Sequence, residues 1–142
     1  MLRPLLPLFA LAATSLLFFF AGCSDGVEVL ECEGSCSCDE ETRTCACHGG
    51  TACTIDGAND IIFECDGNAD CDLHCGRYCH VICPGTTTCA ASLGDQGSAE
   101  CKGTATCSYE CRGDCEVSCG SNSTCSVECA EGCEQQGTAC VC

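Results

Sequence analysis

Between residues 71 and 129 apolar and polar positions alternate with period two, in short segments of the form Cys-x-φ-x-Cys. Five such segments are Cys71-Asp-Leu-His-Cys75, Cys79-His-Val-Ile-Cys83, Cys107-Ser-Tyr-Glu-Cys111, Cys115-Glu-Val-Ser-Cys119 and Cys125-Ser-Val-Glu-Cys129. Every cysteine and every φ residue in them is odd-numbered. Period two places them on one face of an extended strand and their Asp, Glu, Ser and His neighbours on the other. A helix also brings residues four apart onto one face. The glycines between segments and the β-branched φ residues favour strands.

The strands repeat. From Cys47 onward the cysteines recur every 18 residues: Cys47, Cys65, Cys83, Cys101 and Cys119 form one file, and Cys53, Cys71, Cys89, Cys107 and Cys125 a second. Two further positions hold cysteine only in some repeats, as Cys75 with Cys79, Cys111 with Cys115, and Cys129 with Cys133. Elsewhere both are lost together, to Gly57 and Ile61 and then to Leu93 and Gly97. Joint loss is the behaviour of a bonded pair.

Geometry restricts the pairing. Cysteines four apart within a strand are separated by about 13 Å, beyond the roughly 7 Å limit for a bridge, so Cys107 cannot bond Cys111. Cys101 and Cys107 instead flank a loop, as do Cys111 and Cys115, and each pair can meet as the chain reverses. The predicted rung is two short strands laid face to face and pinned at both ends. Stacking rungs about 4.8 Å apart predicts an all-β fold, a small flattened disulfide-laddered β-solenoid of about five rungs of 18 residues. The predicted pairs are Cys47 with Cys53, Cys65 with Cys71, Cys75 with Cys79, Cys83 with Cys89, Cys101 with Cys107, Cys111 with Cys115, Cys119 with Cys125 and Cys129 with Cys133. Upstream, the arms Cys36-Ser-Cys38 and Cys45-Ala-Cys47 read as a hairpin cap at the N-terminal end of the stack. Cys140-Val-Cys142 reads as a truncated last strand. The pairing of Cys32, Cys36, Cys38, Cys45, Cys140 and Cys142 stays open, with 15 possible connectivities.

Composition explains why such staples are needed. With 23 cysteines in 142 residues, no Trp and one Met, the chain lacks the makings of an oily core, and disulfides replace one in small exported domains. This architecture, though not its motif, resembles the disulfide-laddered solenoids of insect antifreeze proteins. Ice binding in that family needs a flat Thr array on a strand. Here the file Thr88, Thr106 and Thr124 is expected in a loop and the outward strand positions are largely polar or charged, so ice binding is not expected.

The first 22 residues stand apart. Arg3 and the amino terminus precede an apolar run that ends at Ala21, the pattern of an export signal. Its end, Phe20-Ala21-Gly22-Cys23, resembles the lipobox of bacterial lipoproteins, which implies cleavage before Cys23 and acylation of Cys23. Removing Cys23 from the pool leaves an even 22 cysteines, which can pair completely. The expected organisation is a signal peptide over 1–22, a lipidated Cys23 with a short tether over 23–31, a hairpin cap over 32–46 and the repeat domain over 47–142. Ser24 after the cysteine fits the outer membrane of a Gram-negative cell better than the inner membrane. The expected membrane partner is reached through the lipid on Cys23.

Charge narrows the ligands. The processed chain carries a formal charge of −17, from 21 acidic side chains against Arg43, Arg77, Lys102 and Arg112. Nucleic acid is excluded as a ligand, because phosphate binding requires basic patches. Cations or basic proteins are the better fit, although acid also keeps a two-sided β surface soluble. Asp56, Asp60, Asp66, Asp70 and Asp72 lie in Gly-containing segments weakly similar to the loops of calcium-binding β-rolls, which makes them the candidate Ca²⁺ ligands. In the stack, Glu110 is expected on Glu128 and Glu116 on Glu134, like-charge contacts that a cation could relieve. Cys36, Cys38, Cys45 and Cys47 could hold zinc as thiolates, but an oxidising compartment favours disulfides. Arg112-Gly113-Asp114 looks like the tripeptide displayed by integrin-binding disintegrins; it occupies the repeat's ordinary turn. His48, His74 and His80 share no motif, and a thin solenoid offers little concavity for catalysis. The expectation is a non-catalytic, lipid-anchored structural or interaction module, with a divalent-cation-binding module as the alternative.

Overall fold

A computed structural model describes residues 31–142. In chain order the strands are β1 (Glu31–Gly34), β2 (Cys36–Asp39), β3 (Thr44–Cys47), β4 (Ala52–Ala58), β5 (Ile62–Cys65), β6 (Asp70–Cys75), β7 (His80–Cys83), β8 (Thr88–Leu93), β9 (Gly97–Cys101), β10 (Thr106–Cys111), β11 (Cys115–Cys119), β12 (Thr124–Cys129), β13 (Glu134–Gln136) and β14 (Ala139–Val141). They form two sheets. The first runs β1-β4-β6-β8-β10-β12 and the second β13-β14-β11-β9-β7-β5-β3-β2. Each rung of the resulting solenoid contributes one strand to each sheet.

Within a sheet the rungs stack in parallel and in register, apart from one shift between Asp56 and Ala58 in β4. Cys53, Cys71, Cys89, Cys107 and Cys125 are consecutive register partners in the first sheet. Cys83, Cys101 and Cys119 are so in the second. The 18-residue spacing is therefore the contour length of one circuit, and backbone hydrogen bonds run from each rung to the next.

The inward residues of the two sheets meet as two files. Ile55, Leu73, Ala91 and Tyr109 come from the first, and Phe63, Val81, Ala99 and Val117 from the second, all buried. Rung three supplies only Ala91 and Ala99, and its neighbour across the ladder supplies Tyr109. The large ring compensates two small side chains. The Tyr109 hydroxyl nonetheless has no hydrogen-bond partner, and burial pushes its phenol above the ordinary tyrosine range.

At one edge of the solenoid the loops are closed by Cys47–Cys53, Cys65–Cys71, Cys83–Cys89, Cys101–Cys107 and Cys119–Cys125. Beneath these cystines lies a file of small residues: Ala69, Thr87 and Ala105 are buried, and Thr87 Oγ1 donates to the Pro84 carbonyl at 3.1 Å. The loops stack so closely that a Cβ on Gly103, whose φ is +72°, would lie 2.9 Å from the Gly85 carbonyl oxygen. Only glycine meets both demands. At the opposite edge the short turns carry Cys75–Cys79 and Cys111–Cys115. Between these rungs Leu93 fills the gap, fully buried; a Cβ at Gly97 would stand 3.1 Å from that of Leu93.

Both ends depart from the repeat. At the amino-terminal end, β2 and β3 form the expected hairpin, bridged by Cys38–Cys45. Its second arm is also a full member of the ladder, with Cys47 in register with Cys65, so β2 alone is the cap on that sheet. On the other sheet β1 caps β4 in antiparallel register. At the carboxyl-terminal end the fifth circuit does not close. Gln135 would stand at the apolar position of the missing strand; instead the chain turns at Gly137, φ +66°, and β14 pairs with β11 antiparallel, Cys140 opposite Cys115.

That reversal corrects two expectations, and the strand bounds correct a third. Cys129 does not bond Cys133: it bonds Cys140, which β14 carries into the interior, and Cys133 bonds Cys142. Glu116 does not stack on Glu134, because Ala139 occupies the position beside it and Glu134 pairs with Val141. The file Thr88, Thr106 and Thr124 is not in a loop; these residues open β8, β10 and β12 and are register partners. Their strands begin one residue before the loop cystine because the ladder already engages them, Thr106 N–H donating to the Thr87 carbonyl at 2.9 Å.

Candidate functional site

With the interior filled, only outward side chains and the ends can meet a partner. On the first sheet, period-two alternation turns three files outward. One is Ala52, Asp70, Thr88, Thr106 and Thr124, the next Thr54, Asp72, Ala90, Ser108 and Ser126, and the third Asp56, His74, Ser92, Glu110 and Glu128. Acid at Asp70, Asp72, Glu110 and Glu128 prevents the Thr file from extending into a uniform hydroxyl array. A shallow cleft of about 260 Å³ lies across the face, lined by Asp72, His74, Ser92, Ser108, Glu110 and Glu128. Ser92 is buried there between longer neighbours, and its hydroxyl lacks a hydrogen-bond partner. Glu110 sits beside Glu128 in register, and Arg112 Nε lies 3.4 Å from a Glu110 carboxylate oxygen. One cation thus already offsets part of the repulsion.

The second sheet turns out Thr44, Ile62, His80, Ser98 and Glu116, and beside them Ala46, Glu64, Ile82, Glu100 and Ser118. Ile82 separates Glu64 from Glu100. His80 Nδ1 lies 2.7 Å from Ser98 Oγ. Lys102 forms an ion pair with Glu100, and its hydrogen bond and charge hold the Glu100 carboxyl below the usual range.

The five aspartates singled out by sequence are dispersed. Asp56, Asp70 and Asp72 are on strands of the first sheet, Asp56 opposite Glu31. Asp60 lies in the short turn between β4 and β5, and Asp66 in the loop at the other edge, where its carboxylate accepts the Gly67 N–H at 2.6 Å. Among the described residues, the only trios of potential ligand atoms within 4.8 Å of one another are cystine sulfurs, such as those of Cys65, Cys71 and Cys89. The candidate zinc thiols are likewise engaged: Cys38 bonds Cys45, Cys47 bonds Cys53, and Cys36 is also disulfide-bonded.

Arg112-Gly113-Asp114 is a packed connector. Arg112 reaches Glu110, the Asp114 carboxylate accepts the Cys142 N–H at 2.6 Å, and a Cβ on Gly113 would lie 2.8 Å from the Asp95 Cα. Cys23 and the lipobox lie outside the described residues.

Sequence reasoning missed the carboxyl-terminal end as a surface. Cys107, Tyr109 and Cys111 are buried, whereas their successors Cys125, Val127 and Cys129 are only partly covered and Cys119 is exposed. The available signal was Gln135, a polar residue at a φ position, followed by Gly137. Comparison of the chain with family models, with curated proteins and with solved structures finds no match.

Proposed function

We propose that this protein is an exported, membrane-anchored lipoprotein whose rigid solenoid is a non-catalytic structural or interaction module. The observation that carries the reading is the continuous cystine ladder: the interior is occupied by bonded cysteines and small apolar files, which leaves flat outer faces and ends as working surfaces. Support for the anchor comes from Phe20-Ala21-Gly22-Cys23 at the end of an apolar run. Support for export comes from the ladder itself, which a reducing cytosol would dismantle.

Mass spectrometry of the extracted native protein tests this directly. The expected result is a diacylglyceryl adduct on Cys23 and no free thiol after Cys23; Cys23→Ala should release the protein from the membrane fraction. An unmodified Cys23, or many free thiols, overturns the reading.

A second reading, divalent-cation binding, is favoured by the register contact of Glu110 with Glu128 beside the unpartnered Ser92 hydroxyl. Its test is the melting temperature in calcium against chelator, with loss of any calcium-dependent rise in Glu128→Gln.

A further inference from the structure

At three of the four ends of the two parallel ladders an antiparallel strand is added beyond the last parallel one. β1 lies on β4, β2 lies on β3, and β14 with β13 lies on β11, all antiparallel. Among the described residues the fourth ladder end, β12, has no strand added beside it. In a parallel ladder successive residues direct their N–H and C=O groups to opposite neighbours. Thr124 N–H donates to the Ala105 carbonyl and Ala130 N–H to that of Cys111, so the even residues of β12 face β10. The N–H and C=O groups of Cys125, Val127 and Cys129 therefore face outward. One polar group reaches that row: Gln135 Nε2 donates to the Val127 carbonyl at 3.4 Å. A side-chain amide thus stands where a neighbouring strand's N–H would be.

We propose that the β12 edge is a docking site for an extended segment of another protein, added as one more strand of the first sheet. Strand addition gains affinity from main-chain hydrogen bonds and specificity from alternate side chains, and both are defined here. Facing the interior, an apolar side chain would cover Val127 and the part-exposed Cys125 and Cys129. Facing outward, a basic side chain would lie beside Glu128, with Glu110 behind it and Glu131 and Glu134 on the following turn and strand, all exposed. The occupant is therefore a basic, alternating apolar segment. A second copy of this chain is disfavoured by its own charge of −16. Docking displaces the Gln135 amide and leaves the cystines intact.

This inference rests on the reading of the protein as an interaction module. Its test uses the mature, lipidated protein in detergent and a blocked peptide of sequence Thr-Lys-Val-Lys-Val-Lys-Thr, with a twin carrying Glu for Lys. Amide hydrogen exchange followed by mass spectrometry should show protection within residues 124–130 by the basic peptide and none by its twin. Gln135→Ala should tighten binding, and Glu128→Gln should weaken it about threefold at low salt. Val127→Pro removes one outward N–H at an edge position where proline is tolerated, so it should abolish binding while free thiols stay absent. Equal protection by the twin, or unchanged binding by Val127→Pro, overturns the proposal. Concentration-dependent protection without peptide overturns it in favour of a second copy. Protection confined to other residues removes this edge but leaves the module reading standing.

Discussion

The two edges of the solenoid solve the same problem differently. Along the long-loop edge every rung from Cys47 to Cys125 carries a cystine. Along the short-turn edge cystines appear in alternate rungs, with Leu93 packed over Gly97 between Cys75–Cys79 and Cys111–Cys115. A cystine and an aliphatic side chain facing a glycine fill equivalent space, so either can close a short turn. The long loops offer only small inward residues such as Ala69 and Ala105, too little apolar surface to close the edge without a covalent tie. Disulfides here are most needed where burial is least available.

The largest test of that contrast is complete reduction under otherwise native conditions. It should unfold the domain, measured as loss of the β signal in circular dichroism, because it opens the long-loop edge in every rung. Next is Leu93→Ala, which empties the space that side chain fills beneath its turn; it should cost about 3 kcal/mol in denaturant titration. The paired change Cys75→Ala with Cys79→Ala should cost about 2 kcal/mol, the chain-entropy value for so short a loop. Replacing the same pair by Leu and Gly, copying rung three, should recover about half of that loss. Failure to recover any would show that the two closures are not equivalent. Tyr109→Phe tests the interior between the edges: deleting a buried hydroxyl without a partner should stabilise by about 1 kcal/mol.

The smallest effect is electrostatic. Lys102 lowers the Glu100 pKa in the folded state, so this contribution is complete above the ordinary glutamate value of about 4.3 and is lost as pH falls through the folded value. Lys102→Ala should cost no more than about 0.5 kcal/mol at pH 7 and low salt. At pH 2 it should cost nothing measurable.

The repeat was legible because cysteine is both the staple and the marker of phase. Once Cys53, Cys71, Cys89, Cys107 and Cys125 stand 18 apart, strand, sheet and register follow from period two. Three features escaped because no recurring residue type marks them. Asp60, Tyr78 and Gln96 take positive φ values of 50°, 59° and 57° in a stacked turn file where glycine appears only at Gly132, φ 91°. The exchange of Cys133 for Cys140 as the partner of Cys129 depends on which strand wins the last place beside β11, a competition that spacing does not record. β1, which straddles the expected boundary between tether and hairpin cap, escaped as a strand because its pairing with β4 is antiparallel and lies outside the repeat. Of the candidate site residues, strand alternation placed Glu110 beside Glu128, whereas a local loop resemblance grouped five aspartates that the fold divides between one sheet face and the two edges.

The in-register stacking has a consequence for how this molecule can change length. Adding one circuit advances the stack by about 4.8 Å and leaves both terminal surfaces as they were. One circuit, however, would set two cystine turns, or two Leu and Gly turns, directly on top of each other, and neither arrangement occurs between Cys75 and Cys115. Duplication of two circuits preserves the alternation. The unit by which such a protein grows or shrinks without repacking is therefore the pair of rungs, and its possible heights form a ladder of discrete steps.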